Sequence, residues 1–271
     1  MEPIEVLSML GFPARLAGRM PVVARYLCGP PKVLKSTDKY ALARYGPTII
    51  YRPWLRLDML ELEQIERLIN DSDDNEVLQF RQTQLASGGM NTVVGSLLAA
   101  ACATMLTLDS LSDVNLTVRA LFTISLMLSL MSVYFTLVQL RELSGPTSPT
   151  TLRDWLGNGH YRPRESGLKD PEGGAWLRTR RKESSLTANI LLQAPFELLS
   201  IAISLFMGGV AAYLGLAMRD SVTLGTGPHP NNEDALIAFV VCTAFTLLVY
   251  GQALGQKDAE RVRSEEARAA P

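Results

Sequence analysis

Four stretches of the chain contain no charged residue, and charged segments separate them. Each stretch is at least 21 residues long. They lie between Arg81 and Asp109, between Arg119 and Arg141, between Glu197 and Arg219, and between Asp234 and Lys257. An α-helix needs about 20 mostly apolar residues to cross the hydrocarbon core of a bilayer. One such stretch fits a buried helix in a globular protein, but four in one short chain predict a polytopic membrane protein.

The apolar windows within these stretches predict an all-α fold, a bundle of four transmembrane helices. The spans lie near residues 93–111, 120–140, 196–218 and 235–254. The first is rich in Ala, Gly, Ser and Thr, and small residues let helix backbones approach closely. We therefore expect the first span inside the bundle, within a membrane domain that covers residues 87–256.

The positions of lysine and arginine predict the orientation of the spans. The region before the first span, the loop at 142–186 and the tail at 257–271 are all basic, whereas the two short connectors contain no lysine or arginine. Cytoplasmic loops carry the excess of basic residues, and with four spans all three basic segments fall on one side. We therefore predict a multi-pass protein with both termini cytoplasmic. Acidic Glu2 and Glu5 favour the plasma membrane or an endomembrane over a mitochondrial membrane.

The N-terminal region, residues 1–86, is predicted to be a cytoplasmic helical region. Apolar positions at helical spacing predict an amphipathic helix over 57–69, and the acidic run 71–76 is expected to cap the helix that leads into the first span. Residues 45–54 carry a short β-branched core between prolines and predict an extended segment. The loop at 142–186, rich in Pro, Gly and Ser, predicts irregular structure with a short helix over 151–156.

One glutamate stands at the edge of the third span, in the stretch LLQAPFELLSIAISLFMGG. If the helix starts at Pro195, proline occupies the first turn and Glu197 lies beside it, where a carboxylate favours the helix dipole. If the helix starts near Ser185, Glu197 lies three turns inside, and a carboxylate at that depth marks a functional site. The proline favours the first interpretation, in which Glu197 marks the cytoplasmic boundary.

Small residues and basic residues identify candidate contacts with other helices and with lipid. Residues spaced by four predict helix packing in the first and fourth spans: Gly95, Ala99, Ala103, Gly251 and Gly255. Packing within one chain explains most of these positions, and the GxxxG pair of the fourth span is a candidate oligomer contact. A basic run before the third span is a candidate contact for anionic lipid: Arg178, Arg180, Arg181 and Lys182.

The composition excludes several function classes. A formal net charge of -1 argues against nucleic-acid binding. The predicted topology places the only two histidines, His160 and His229, on opposite sides of the membrane, so they cannot share a metal ion. The three cysteines form no disulfide framework, and there is no phosphate loop or nucleophile motif. No catalytic, cofactor or metal site is therefore predicted, and an enzyme is disfavoured.

Three functions stay open, all of them with the lipid bilayer and a homo-oligomer or membrane partner as expected contacts. The first is an oligomeric scaffold or accessory subunit that works through the N-terminal region. The second is a small oligomeric cation channel or transporter, in which Asp109 and Asp113 form an acidic outer mouth and Glu197 is a candidate ion residue. Its layout resembles that of store-operated calcium channels, without a continuous motif match, so no family is assigned. An intramembrane enzyme is third.

Overall fold

The computed structural model describes residues 40–42, 44–51, 55, 58–108, 116–163, 180–219, 236–243 and 245. These residues are mostly helical. In chain order, a 3₁₀ helix at Gly46–Tyr51 is followed by α1 (Met59–Asn70), α2 (Asp74–Leu106), α3 (Leu116–Ser144), α4 (Pro149–Leu156), β1 (Gly157–Pro163), β2 (Arg180–Ser184) and α5 (Leu186–Arg219). Residues 236–243 and 245 are also helical. The predicted amphipathic helix is thus confirmed as α1.

Three of the helices are long and apolar enough to cross a membrane. They are Asp74–Leu106, Leu116–Ser144 and Leu186–Ala217. They contain the second predicted span, 120–140, and most of the first and third predicted spans, 93–111 and 196–218. α2 starts directly after the acidic turn, with Asp74 and Glu76 in its first turn, where carboxylates favour the helix dipole. The multi-pass character that the charge-free stretches predicted is therefore supported. Most of the fourth predicted span, 235–254, lies outside the described residues.

The faces of α3 are distributed as in a helix surrounded by lipid. Its exposed positions carry large apolar side chains, including Ile124, Met127 and Leu130, whereas Ser125 and Ser129 are fully buried. A helix in water would bury the apolar side chains and expose the hydroxyls. Where lipid surrounds the protein, large apolar side chains are solvated outside and small polar ones pack between helices.

The chain divides into two compact units, and the three long helices contribute residues to both. Unit 1 contains residues 37–92 and 134–195, together with 1–13. Its described part has two apolar cores. Met59, Leu62 and Leu186 belong to the first, and Ile65, Leu152 and Leu192 to the second. α1 therefore contributes to both cores, which explains why its apolar positions cover a broad face.

Side-chain hydrogen bonds satisfy the helix ends in unit 1. Ser148 caps α4, because its hydroxyl accepts a hydrogen bond from the Thr151 amide at 3.2 Å. Pro149 follows in the first turn of the helix, where the missing backbone N–H of proline costs no hydrogen bond. Arg81 donates to the carbonyls of Leu143 and Ser144 at 2.7 and 3.1 Å, which satisfies the C-terminal end of α3.

Unit 2 contains residues 93–133 and 196–271, together with 14–36. Its described core is a cluster around Val118, Phe122 and Tyr213, in which the Phe122 and Phe206 rings meet edge to face with centroids 5.7 Å apart. Gly209 makes this approach feasible, since a Cβ there would lie 3.0 Å from the Phe122 ring. Small residues at the points where helices approach closely are typical of contacts between membrane helices.

The start of α5 corrects the boundary interpretation of the third span. α5 begins at Leu186, so Pro195 lies inside the helix and not in its first turn. An interior proline removes one backbone hydrogen bond and disfavours a helix. The upstream turns are nevertheless helical because tertiary contacts hold them: Leu186 and Leu192 fill the two cores of unit 1, and the Asn189 side chain bonds Asp58.

Two other local predictions were wrong. The segment expected to be extended forms the 3₁₀ helix Gly46–Tyr51, because Gly46 turns the backbone at φ 66° and Ile49 is buried in the first core. The loop expected to be irregular contains, besides α4, the antiparallel ribbon of β1 and β2. Packing decided both cases, since neither segment has the alternating pattern of a half-buried strand or the period of a helix.

Candidate functional site

Four polar side chains, buried or half-buried, meet in unit 1 from three separated segments. We call Tyr40, Arg44, Glu66 and Ser184 the arginine cluster. The Arg44 guanidinium donates to the Tyr40 and Ser184 hydroxyls, both at 2.7 Å, and lies 3.6 Å from the Glu66 carboxylate. The Tyr40 hydroxyl donates in turn to Glu66 at 2.7 Å. The Arg44 and Glu66 side chains are only 5% and 8% exposed, so this is a buried ion pair.

The electrostatics of the cluster keep Arg44 charged and Tyr40 neutral. Burial raises the pKa of the Tyr40 phenol above its ordinary value of 10.0; Arg44 lowers that pKa and Glu66 raises it. Burial alone would lower the pKa of Arg44, but attraction to Tyr40, Tyr45 and Glu66 outweighs it and raises the pKa. The Tyr45 ring also faces the guanidinium, with the central carbon 5.4 Å from the ring centre, a cation–π distance.

A second buried polar contact joins the turn before α1 to the first turns of α5. Asn189 and Asp58 are both fully buried, and the Asn189 amide nitrogen donates to the Asp58 carboxylate at 3.1 Å. The side-chain oxygen of Asn189 is buried and accepts no hydrogen bond in the described part of the chain. This contact fixes the entry of α5 and helps to explain why the helix begins well before Pro195.

Strand β2 is held on both sides by the rest of unit 1. The Asn70 side chain bonds both backbone groups of Lys182: its oxygen accepts from the amide at 2.8 Å and its nitrogen donates to the carbonyl at 2.9 Å. Asn70 therefore acts like a third strand at the free edge of β2, and such an edge needs cover. The Lys182 amine bonds Asp154 of α4. Lys182, one of the predicted lipid contacts, is thus already paired.

Unit 2 contains a chain of polar contacts between its helices. The buried Cys102 thiol donates to the Ser125 hydroxyl at 3.3 Å, and that hydroxyl donates to the Ala202 carbonyl at 2.7 Å. Each of the three residues lies on a different long helix. This chain of bonds satisfies the hydroxyl without a charge, so its chemistry is that of helix packing and not of ionisation.

The residues of the predicted packing ridge on the first span differ in their surroundings. A Cβ at Gly95 would lie 2.8 Å from the Val133 side chain, and Ala99 is buried, whereas Ala103 is exposed and Cys102 takes the packed position. Residues spaced by four positions rotate by about 40° around the helix with each interval, so they leave a straight packing face. Alternating intervals of four and three residues keep the side chains on one face. Gly251 and Gly255 lie outside the described residues.

Of the three candidate ion residues, Glu197 lies in the part of the chain that the structure describes. Glu197 is 7% exposed and three turns inside α5, as the second interpretation required. It lies about 200° around the helix from Leu199, which packs near Gly95, so it projects from the face opposite that contact. Asp109, Asp113 and Arg178 lie outside the described residues. Arg180 and Arg181 lie in β2.

The arginine cluster was missed at the sequence level because its members have no shared pattern. Arg44 and Ser184 are 140 positions apart, and a tyrosine one turn before an arginine is unremarkable in itself. Chemically, the cluster is a buried ion pair of Arg44 and Glu66, and the neutral Tyr40 hydroxyl is hydrogen-bonded to both charged groups. Among the described residues, no group of three or more His, Cys, Asp or Glu is placed to hold a metal ion. No protein-family model, curated protein or solved structure matches the chain.

Proposed function

We propose that this chain is a non-catalytic membrane protein, an oligomeric scaffold or accessory subunit that presents unit 1 to a partner. One observation carries the proposal. The arginine cluster ties the segment before α1, α1 itself and the strand before α5 into one preorganised body. Burying an ion pair costs more than an apolar contact, and in several systems such pairs fix one geometry. A unit with one fixed geometry, continuous with the membrane-spanning helices, suits a binding role.

Photocrosslinking in native membranes tests the scaffold role. A photoreactive amino acid is placed at Glu76 or Gln79, both exposed in unit 1, and at Leu130, which is 50% exposed on α3. We expect a protein adduct of discrete mass from positions 76 and 79, and lipid adducts from position 130. Arg44→Ala should abolish the protein adduct because it disrupts unit 1, whereas Arg67→Ala should keep it. The proposal is contradicted if no protein adduct forms, or if the adduct persists in the Arg44→Ala variant.

A cation channel is the second candidate, and the polar buried face of α3 favours it. Ser125, Ser129 and Ser132 are each fully buried on α3, and a helix that contacts only lipid needs no such hydroxyl groups. In an oligomer, Asp109 and Asp113 would then form acidic rings that concentrate cations. Purified protein in liposomes distinguishes the two functions. Ion flux that Asp109→Ala reduces supports the channel, and silence at every voltage and pH leaves the scaffold.

We further propose that residues 235–254 form the fourth span, with both termini cytoplasmic in the plasma membrane or an endomembrane. The exposed apolar residues Ile237, Val240 and Phe245 of the partly described last helix support a lipid contact. Single cysteines at Ser148, Thr226 and Ala269, in a background without the native three, test this topology. Only position 226 should react with a membrane-impermeant reagent outside intact cells. Labelling of 148 or 269 from outside would refute it.

A further inference from the structure

Among the three long helices that the structure describes, α5 alone contains a proline. α5 covers Leu186–Arg219 with Pro195 in its interior, whereas the sequences of α2 and α3 have none. Proline has no backbone N–H, so the Leu191 carbonyl, four positions earlier, loses its helical donor. In membrane helices, a serine or threonine side chain often satisfies the freed backbone group. Among the described residues, no side chain donates to the Leu191 carbonyl, so the break in α5 has no such support.

The turns of α5 before the proline are fixed by unit 1. Leu186 belongs to the first apolar core of that unit and Leu192 to the second. Between them, the buried Asn189 side chain donates to Asp58 at 3.1 Å. These three anchors lie within two turns of one another, so this segment of α5 is held as part of unit 1.

The turns after the proline have other partners. The Ala202 carbonyl accepts a hydrogen bond from Ser125 of α3 at 2.7 Å, and Gly209 lies against the Phe122 ring. The division of the chain into compact units also falls directly after Pro195. The interruption in the backbone ladder therefore lies at the residue where α5 leaves the contacts of unit 1.

We propose that Pro195 is a hinge in α5, at which the membrane-crossing part of the helix changes its angle to the turns that unit 1 holds. Sharp bends in helices occur at prolines, and hinges are a few residues that absorb a change in backbone angles. Such a bend would transmit a change in unit 1 to a helix that crosses the membrane. The inference is independent of the scaffold role, because a channel could use the same hinge for gating.

Distances between paired spin labels, measured by double electron–electron resonance, test the hinge in the full-length protein in lipid nanodiscs. One label is placed at Ser204 of α5 and the other at Arg67 of α1 or at Thr150 of α4, all of them exposed, in a background without the native cysteines. A bend of about 20° at Pro195 displaces position 204 by about 5 Å, since nine helical residues extend about 13.5 Å. We expect the distance distribution to be broader by about that amount for at least one of the two pairs. Pairs that join Arg67 or Thr150 to the exposed Thr187, before the proline, should stay narrow.

Two variants show whether the proline is the cause. Pro195→Ala restores the missing donor and should narrow the Ser204 distributions to the width of the Thr187 distributions. Phe196→Ala, at a neighbouring side chain that is 50% exposed, keeps the proline and should leave them broad. Thermal unfolding checks the fold of both variants, and Pro195→Ala should be at least as stable as the native protein, because alanine favours a helix.

The comparison within the native protein is decisive even without the variants. Equally narrow distributions for Ser204 and Thr187 against both reference positions would show that α5 has one fixed direction, and they would overturn the hinge. Broad Ser204 distributions that persist in Pro195→Ala would overturn the assignment to the proline.

Discussion

The contacts inside unit 1 differ in kind from the contacts inside unit 2. In unit 1, charged and polar side chains join segments that are far apart in sequence, such as Arg44 and Ser184 or Asp58 and Asn189. In unit 2, helices approach closely at Gly95 and Gly209, and the Ser125 hydroxyl donates to the Ala202 carbonyl. The polar contacts of unit 1 depend on the chemical identity of both partners, whereas the close approaches in unit 2 depend mainly on side-chain volume.

This difference determines how each unit should respond to substitution. Where a buried charge has one specific partner, loss of that partner leaves the charge uncompensated, and the cost is large and local. Where helices meet through small residues, the sensitive change is added volume, and removal of one hydroxyl costs little because bonds between membrane helices are individually weak. The experiments below apply matched changes to the two units.

The largest effect is expected from Arg44→Ala in unit 1. This change leaves the Glu66 carboxylate buried without its cation and should destabilise unit 1 by about 3–5 kcal/mol. Hydrogen exchange of the purified protein should show loss of protection in α1 and β2 and little change in residues 93–106. The control is Arg67→Ala, which removes an exposed pair with Glu63 one turn away and should cost less than about 0.5 kcal/mol. Equal effects of the two changes would show that the buried pair is not what holds unit 1.

In unit 2, Gly95→Ala is expected to be the damaging change. The new Cβ would lie 2.8 Å from the Val133 side chain, and such overpacking costs about 1–3 kcal/mol. Thermal unfolding in detergent measures the loss. Gly208→Ala is the matched control, since a Cβ there meets nothing within 4 Å and alanine favours a helix. If Gly208→Ala is as harmful as Gly95→Ala, the close approach at Gly95 is not a determinant of stability.

Alkaline pH should loosen unit 1. The fold raises the pKa of Tyr40, so the unfolded chain loses that proton first as the pH rises. The contribution of Tyr40 is therefore complete below about pH 10 and falls above it, by up to about 1.4 kcal/mol per pH unit. Proteolytic cleavage within α1, followed from pH 8 to 11, reports the change. Tyr40→Phe should remove most of the pH dependence, and Tyr51→Phe, at a residue 80% exposed, should not.

The apolar parts of both units were predictable, and the polar ones were not. Charge-free length predicted the three long helices, and periodicity predicted α1, because both signals are local in sequence. The same local reasoning started the third span at Pro195, since it could not know that Leu186, Asn189 and Leu192 are held by unit 1. It also gave no signal for the contact of Cys102 with Ser125, because Cys102 lies outside the step of four that defined the packing ridge.

The candidate sites show the same division. Lys182 looked like one of four equivalent lipid contacts until its pairing with Asp154 and Asn70 was known. The arginine cluster carried no sequence signal, since its residues are ordinary in type and separated by up to 140 positions. Long-range polar contacts of this kind need either a structure or covariation between positions to be found.

The most direct comparison makes the same change, serine to alanine, in both units. Ser184→Ala removes a hydroxyl that accepts from Arg44 and donates to the Leu62 carbonyl at 3.1 Å, and a bond to a charged group is worth about 1.5–3 kcal/mol. Ser125→Ala removes a hydroxyl bonded only to a thiol and a carbonyl, and bonds between membrane helices average about 0.6 kcal/mol. Both serines are fully buried, so exposure does not differ between them. Thermal unfolding of the two variants should therefore show the larger loss for Ser184→Ala, and the reverse order would mean that charge is not what distinguishes the two units.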